Sequence, residues 1–294
     1  MLQIYENLGP TARLCFYYSD DELADFRRSR DSEINKTSDL SSTRSLFQQL
    51  LEQGDQLSMD SLSHKICLIR RSVQRDVHNP NFTVSPISES VANMLISRLE
   101  NLSESDLLGM WRQFSVFGDA RGMTGLVFEA YVHQRFRREI SFEASPMVQG
   151  PRSKSSWHAS FSLKIPVSAT SSAQSIPKTT ICDHETVVYY QGPVKLKVKT
   201  GTYYVPRSRQ QVALDSFVVH GGILYIFQCT GGRKHPIRDG MVPFLNSCEG
   251  IPSVDQWRFV FVVPDDLDSF SCPASDNELI HGLNPYTARI PMSA

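Results

Sequence analysis

The chain lacks most of what marks a secreted, membrane-spanning or nucleotide-hydrolysing protein. Its opening residues, Met1-Leu2-Gln3-Ile4-Tyr5-Glu6, have neither the basic start nor the apolar run of a secretory signal. No window approaches the roughly eighteen consecutive apolar residues of a membrane helix. The six cysteines, Cys15, Cys67, Cys182, Cys229, Cys248 and Cys272, are scattered with no CxxC pair, so they read as buried or free thiols of a reducing compartment. GxxxxGK[ST], GxGxxG, GxSxG and HExxH are all missing, which excludes a P-loop, a dinucleotide fingerprint, a hydrolase elbow and a zinc-protease helix. Cys182 and His184 have no further ligands at zinc spacing. Charge of one sign is also lacking. The formal net charge of −1 excludes nucleic-acid binding through bulk charge, so any phosphate contact must rest on local patches.

What is present suits two domains, or one domain with a sizeable extension: 294 residues, of which 40% are hydrophobic, are enough to build a core without staples. The first third reads as helical. Ser19-Asp20-Asp21-Glu22 is a capping box ahead of Leu23 and Phe26. Leu46, Phe47, Leu50 and Leu51 recur at helical spacing. Ser85-Pro86 looks like an N-cap before a first-turn proline, with Ile87, Val91, Met94, Leu95 and Leu99 following on one stripe. Ser103 to Asp106 caps a helix carrying Leu107, Leu108, Trp111 and Phe114, and Lys65 to Arg70 reads as a single strand. Short amphipathic helices with one strand suit a lid or winged-helix type of module with a packing or protein-contact role. We place this module at residues 1–116.

A helix is expected from about Gly122 to Glu139, apolar almost all round and therefore buried. From Ser141 to Thr180 the composition turns to Ser, Pro, Lys and Thr, with a strand only at Phe161–Ile165. After Cys182 the period becomes two. Val187–Tyr190, Val194–Val198 and Tyr203–Val205 read as strands, and Asp215–Val219 with Ile223–Phe227 as a hairpin across His220-Gly221-Gly222. Met241–Cys248 reads as a helix and Phe259–Val263 as a buried strand. Residues 117–294 thus form an α/β or α+β domain.

Four features of this second part carry chemistry. Glu129 shares a helix face with Leu126, Val132, His133 and Phe136, which puts a carboxylate on an apolar surface. The plain reading is a satisfied acid paired with His133 or an arginine; the functional one is a nearby cation. Asp215 opens one hairpin strand and Gln228 closes the other, so correct register sets them side by side. Two oxygen-bearing side chains there, beside a buried Glu, suit a hard cation such as Mg²⁺. Gly231-Gly232-Arg233-Lys234-His235-Pro236 follows directly, with glycines and cations where a phosphate would lie, although an ordinary basic loop has the same composition. Finally, no acid lies between Glu185 and Asp215, a stretch that holds Lys195, Lys197, Lys199, Arg207 and Arg209. The three lysines alternate with Val194, Leu196 and Val198, giving a strand with one basic face. Either a protected edge or a surface for phosphates would look this way.

A buried helix Glu, an Asp at a strand start and a Glu or Gln ending the next strand in (E/Q)-x-K resemble the signature of the PD-(D/E)XK restriction-endonuclease-like superfamily. Tyr203-Tyr204-Val205-Pro206, Ala213-Leu214-Asp215-Ser216-Phe217, Leu224-Tyr225-Ile226-Phe227-Gln228-Cys229-Thr230 and His235-Pro236-Ile237 look like the C-terminal nuclease domain of Crinkler and retrotransposon-hot-spot proteins. Gly9-Pro10-Thr11-Ala12-Arg13-Leu14-Cys15 and His64-Lys65-Ile66-Cys67-Leu68-Ile69-Arg70-Arg71 look like the tail of the P-loop ATPase module that precedes it.

The resemblance implies a restriction-endonuclease-like mixed sheet flanked by helices after a helical N-terminal module. It implies a nuclease using Mg²⁺ or Mn²⁺ on DNA, with RNA as the alternative substrate and without strong sequence readout. Glu129, Asp215, Gln228 and the Cys229 carbonyl would be the metal ligands. Lys195, Lys197, Lys199, Arg233 and His235 would contact the nucleic-acid backbone. Thr230 stands where the superfamily has its lysine. Threonine supplies no charge, so Lys234 or a lysine of the 195–199 stretch would have to replace it. The implied partners are a separate P-loop ATPase chain or a host nuclear protein, with no membrane, and the implied location is intracellular, in a nucleus. A nuclease fold that binds without cleaving is the competing expectation.

Overall fold

The computed structural model describes residues 19–35, 41–45, 66–71, 82–115, 121–147, 160–166, 196–205, 214–273, 280, 283 and 285–292. The chain divides into two compact units, residues 1–131 and 132–294.

In the first unit, α1 (Asp20–Asn35) starts at the expected capping box. Glu22 Oε2 accepts from the Ser19 N–H at 2.8 Å, and Ser19 Oγ accepts from the Glu22 N–H at 3.4 Å. The strand read at Lys65–Arg70 is β1 (Cys67–Arg71), and it pairs with an antiparallel neighbour that the sequence reading had not separated, β2 (Phe82–Pro86). This changes the start of the next helix. Ser85 and Pro86 end β2, and α2 (Glu89–Leu99) is capped by Ser88, whose side chain accepts from the Val91 N–H. Ser88 lies beyond the β-ladder and so is free to turn the chain, whereas Ser85 is held in register opposite Leu68. The apolar stripe is where it was expected, with Val91, Leu95 and Leu99 buried. In α3 (Glu104–Phe114) the Ser103 cap accepts from the Asp106 N–H at 3.1 Å.

The division between the units falls within α4 (Arg121–Arg138). Leu126 to His133 are all buried, as the all-round apolar pattern required. In the first unit its Phe128 lies against Trp111, with ring centroids 5.2 Å apart.

The second unit is built on a seven-stranded mixed sheet in the order β4-β3-β9-β8-β7-β6-β5. Its strands are β3 (Glu139–Pro146), β4 (Phe161–Pro166), β5 (Tyr203–Tyr204), β6 (Ser216–His220), β7 (Ile223–Cys229), β8 (Trp257–Pro264) and β9 (Pro285–Ile290). The centre, β7-β8-β9, is parallel, and the flanking pairs are antiparallel. The chain is thus an α+β protein with a mixed sheet. Two strands were not anticipated. β3 opens the Ser- and Pro-rich region; its Ile140, Phe142 and Ala144 alternate inward, a short period-two signal that the composition shift masked. β9 interrupts its apolar residues with Thr287 and Arg289 and is recognisable only from its place beside β8.

One face of the sheet packs on α5 (Met241–Ser247), through Phe217, Leu224, Ile226, Phe259 and Phe261 against Met241, Val242 and Leu245. The other face meets the end of α4. There Phe136 lies 5.2 Å from Phe227 and 5.8 Å from Phe142, ring centre to ring centre. Each fully buried aromatic contributes roughly 2–3 kcal/mol by removal of its surface from water. Among the described residues no helix is long and apolar enough to cross a membrane.

Candidate active site

The site begins with a tight turn. Gly221 and Gly222 have φ of +59° and +78°, the left-handed values that a two-residue hairpin of type I′ needs at both positions. That turn fixes the β6–β7 register from His220↔Ile223 to Ser216↔Phe227. The next residues out, Asp215 and Gln228, must then be neighbours. Gln228 Nε2 donates to Asp215 Oδ2 at 2.8 Å, and the Cys229 N–H donates to the same oxygen at 2.7 Å. The Asp215 N–H in turn donates to the Phe227 carbonyl at 3.0 Å. The Asp215 carboxylate therefore continues the ladder past its last backbone pair. Both residues are half-buried. They lie at the carboxyl end of β7, one of the three central parallel strands, which is the end of a parallel sheet where ligands bind in open α/β folds.

Thr230 continues this edge. Its N–H donates to the Val262 carbonyl at 3.0 Å, and its Oγ1 accepts from the Gly232 N–H at 3.1 Å, closing a hydroxyl-backbone turn. The buried hydroxyl thus shapes the loop that follows. A Cβ on Gly232 would come 3.4 Å from this same oxygen.

The basic loop is strapped to the segment before Cys272. The Ser271 N–H donates to the Arg233 carbonyl at 3.0 Å, and the His235 N–H donates to the Ser271 carbonyl at 3.2 Å. Arg233 faces Asp268 at 3.3 Å with both side chains exposed, a pair worth under about 1 kcal/mol. Lys234 projects into solvent. His235 is half-buried, with Nδ1 2.9 Å from the Pro236 carbonyl and its ring tilted over Phe261 at 6.1 Å. Burial holds its pKa below the ordinary value; the Pro236 carbonyl opposes that shift and Arg238 adds to it.

Of the expected lysine strand, Lys195 lies outside the described residues, as do Arg207 and Arg209. Residues 196–199 make a single bridge, Lys197↔Glu249, instead of a strand. The alternation nevertheless holds, with Val198 buried and Lys197 and Lys199 exposed. Gly250 allows this contact. It has φ +84°, and a Cβ there would lie 2.7 Å from the Val198 carbonyl oxygen.

Glu129 is 7% exposed and belongs to the first unit, whereas Asp215, Gln228, Cys229 and Thr230 belong to the second. Among the described residues no group of three or more His, Cys, Asp or Glu side chains is arranged to hold a metal ion. The donor chemistry at the end of β7 still fits a hard divalent cation held by few ligands. The donors would be the Asp215 carboxylate, the Gln228 amide oxygen and the Cys229 carbonyl.

A feature the sequence reading passed over is a buried polar line beside this edge. The Tyr203 hydroxyl donates to Ser216 Oγ at 2.8 Å and lies 2.8 Å from His133 Nδ1. All three residues are at most 2% exposed. The signal was a serine directly after Asp215 and a tyrosine in a two-residue strand, neither distinctive without the register. No family model, curated protein or solved structure matches the chain.

Proposed function

We propose that this chain is a metal-dependent phosphodiesterase of the restriction-endonuclease-like type, acting on DNA without strong sequence readout, in the manner of the nuclease domains of Crinkler and retrotransposon-hot-spot proteins. The observation that carries the reading is the Asp215–Gln228 contact at the carboxyl end of β7, next to an exposed basic loop. Asp215, Gln228 and the Cys229 carbonyl would hold Mg²⁺ or Mn²⁺. Bound there, the ion would polarise a phosphate and lower the pKa of a water.

The chain's own residues do the rest. Asp215 is oriented by two donors before any ligand arrives. Lys234 and Arg233 offer cations on a loop whose backbone is pinned at Ser271. Lys197 and Lys199 add charge that positions a sugar-phosphate backbone without reading its bases. With a single carboxylate and a neutral amide, metal affinity should be modest. The likeness to Crinkler effectors would place that work inside a cell, in a nucleus.

A second reading is favoured by one observation. Thr230 takes the position of the superfamily lysine, and its hydroxyl is engaged by the Gly232 N–H. A module of this kind would bind nucleic acid or a partner without cutting. Incubation of supercoiled plasmid, linear duplex and RNA with the chain in Mg²⁺, Mn²⁺ or EDTA separates the two. Metal-dependent loss of DNA supports the nuclease. Intact DNA that is retained on the protein and released steeply by salt supports the binding module.

A further inference from the structure

We propose that Tyr203 is a positioning residue for Asp215, acting through the buried line His133–Tyr203–Ser216. The inference rests on the proposed function in taking Asp215 as the side chain that matters.

The case starts from the ladder. β5 pairs with β6 only at Tyr203↔Val218 and Tyr204↔Phe217. It stops one residue short of Ser216, so the first residue of β6 is outside the β5–β6 register on the side where that strand begins. Ser216 lies two residues from Val218 and shares its face, and the Tyr203 hydroxyl reaches it along the strand at 2.8 Å. One side-chain bond thus replaces the missing backbone rung immediately beside Asp215.

The apolar surroundings do not call for a hydroxyl. The Tyr203 ring packs against Phe136 at 6.0 Å and Phe227 at 6.3 Å, contacts that phenylalanine would make equally well. Burying the hydroxyl is costly unless it is bonded. Here it has a partner on both sides, Ser216 Oγ and His133 Nδ1, each at 2.8 Å. The helix α4 is in this way tied to the strand start through one oxygen. The phenol also keeps its proton. Burial pushes its pKa well above the ordinary value, and Cys229 and Asp215 push the same way against Ser216 and Arg137.

The task of this tie is accuracy. Asp215 Oδ2 must meet Gln228 Nε2 and the Cys229 N–H together, at 2.8 and 2.7 Å. A slip of about 1 Å at the start of β6 would break both bonds, the scale at which misplaced groups lose function.

Amide hydrogen exchange in EDTA reads the tie directly, through the Cys229 N–H that Asp215 accepts. Tyr203→Phe and Ser216→Ala are compared with wild type, with Asp215→Ala as the calibrating loss. Both variants are expected to speed Cys229 exchange at least about tenfold while Val263, in the central strand β8, stays within twofold. Calorimetry with Mn²⁺ should show about fivefold weaker binding in both. Cys229 exchange within twofold of wild type in both variants overturns the inference, as does equal acceleration at Val263, which would mark general loosening. Absence of Mn²⁺ binding by wild type counts against the metal reading alone, and the exchange comparison then still decides the role of Tyr203.

Discussion

Replacing Gln228 by glutamate separates a metal site from a structural hydrogen bond. In wild type the Gln228 amide donates to Asp215 Oδ2 at 2.8 Å. Ionised glutamate cannot donate, and loss of a hydrogen bond to a charged group costs about 1.5–3 kcal/mol. Two carboxylates about 4 Å apart repel by about 4 kcal/mol at the effective dielectric of a half-buried site. Uptake of a proton by one of them limits the total, so the metal-free variant should be destabilised by about 3–5 kcal/mol. At about 2 °C per kcal/mol for a chain of this size, its melting temperature should fall by about 6–10 °C in EDTA. A divalent cation reverses the sign, because the added charge becomes a ligand. If 10 mM Mg²⁺ is about 100 times Kd for the variant, it returns about 2.7 kcal/mol, or about 5 °C. Wild type, with one carboxylate, should gain under about 2 °C. Differential scanning calorimetry of both proteins in EDTA and in Mg²⁺ makes the comparison. A variant that melts at the same temperature in Mg²⁺ and in EDTA would refute the cation site, and a variant as stable as wild type in EDTA would refute the contact itself.

Other outcomes follow from the same geometry. His235 has its folded-state pKa below the ordinary 6.5 because it is buried, so the unfolded chain takes up the proton first and stability, complete above about pH 6.5, declines as pH falls through the folded value. Urea unfolding at pH 7.5 and 5.5 should therefore show a smaller pH difference in His235→Asn than in wild type. Gly250→Ala should lose at least about 2 kcal/mol, since the residue sits at φ +84° and its Cβ would meet the Val198 carbonyl at 2.7 Å; equal urea midpoints would contradict this. Burial pushes the thiols of Cys67 and Cys248 up to about 12 and about 11, so iodoacetamide at pH 8 should label them at least about tenfold more slowly in the folded protein than in urea, as peptide mass mapping would show.

The elements legible in sequence were those with a local cause. Ser19 and Ser103 capped as their spacing required because a cap is a contact three residues long. The Gly221-Gly222 turn set the hairpin register, and register alone was enough to bring Asp215 to Gln228. What escaped depended on remote partners. Ser85 looked like a cap as much as Ser88 did, and only pairing with β1 assigns it to a strand. β9 has a mixed pattern that its place beside β8 turns into sheet. Around the site, residue types suggested metal ligands, but the Cys229 N–H bond to Asp215 and the Tyr203–Ser216 bond join residues 13 or 14 positions apart. Nothing in local composition signals such bonds.

The most direct test of the proposed activity compares wild type with Asp215→Asn on supercoiled plasmid. Asparagine keeps an acceptor for the Cys229 N–H, so the fold is preserved while the carboxylate is lost. Wild type should convert the plasmid to nicked and linear forms in Mg²⁺ and leave it intact in EDTA. The variant, at equal melting temperature, should leave it intact in both. Equal cleavage by the two proteins, or none by either with Mg²⁺ and Mn²⁺, would contradict the assignment of Asp215 to a metal-dependent nuclease site.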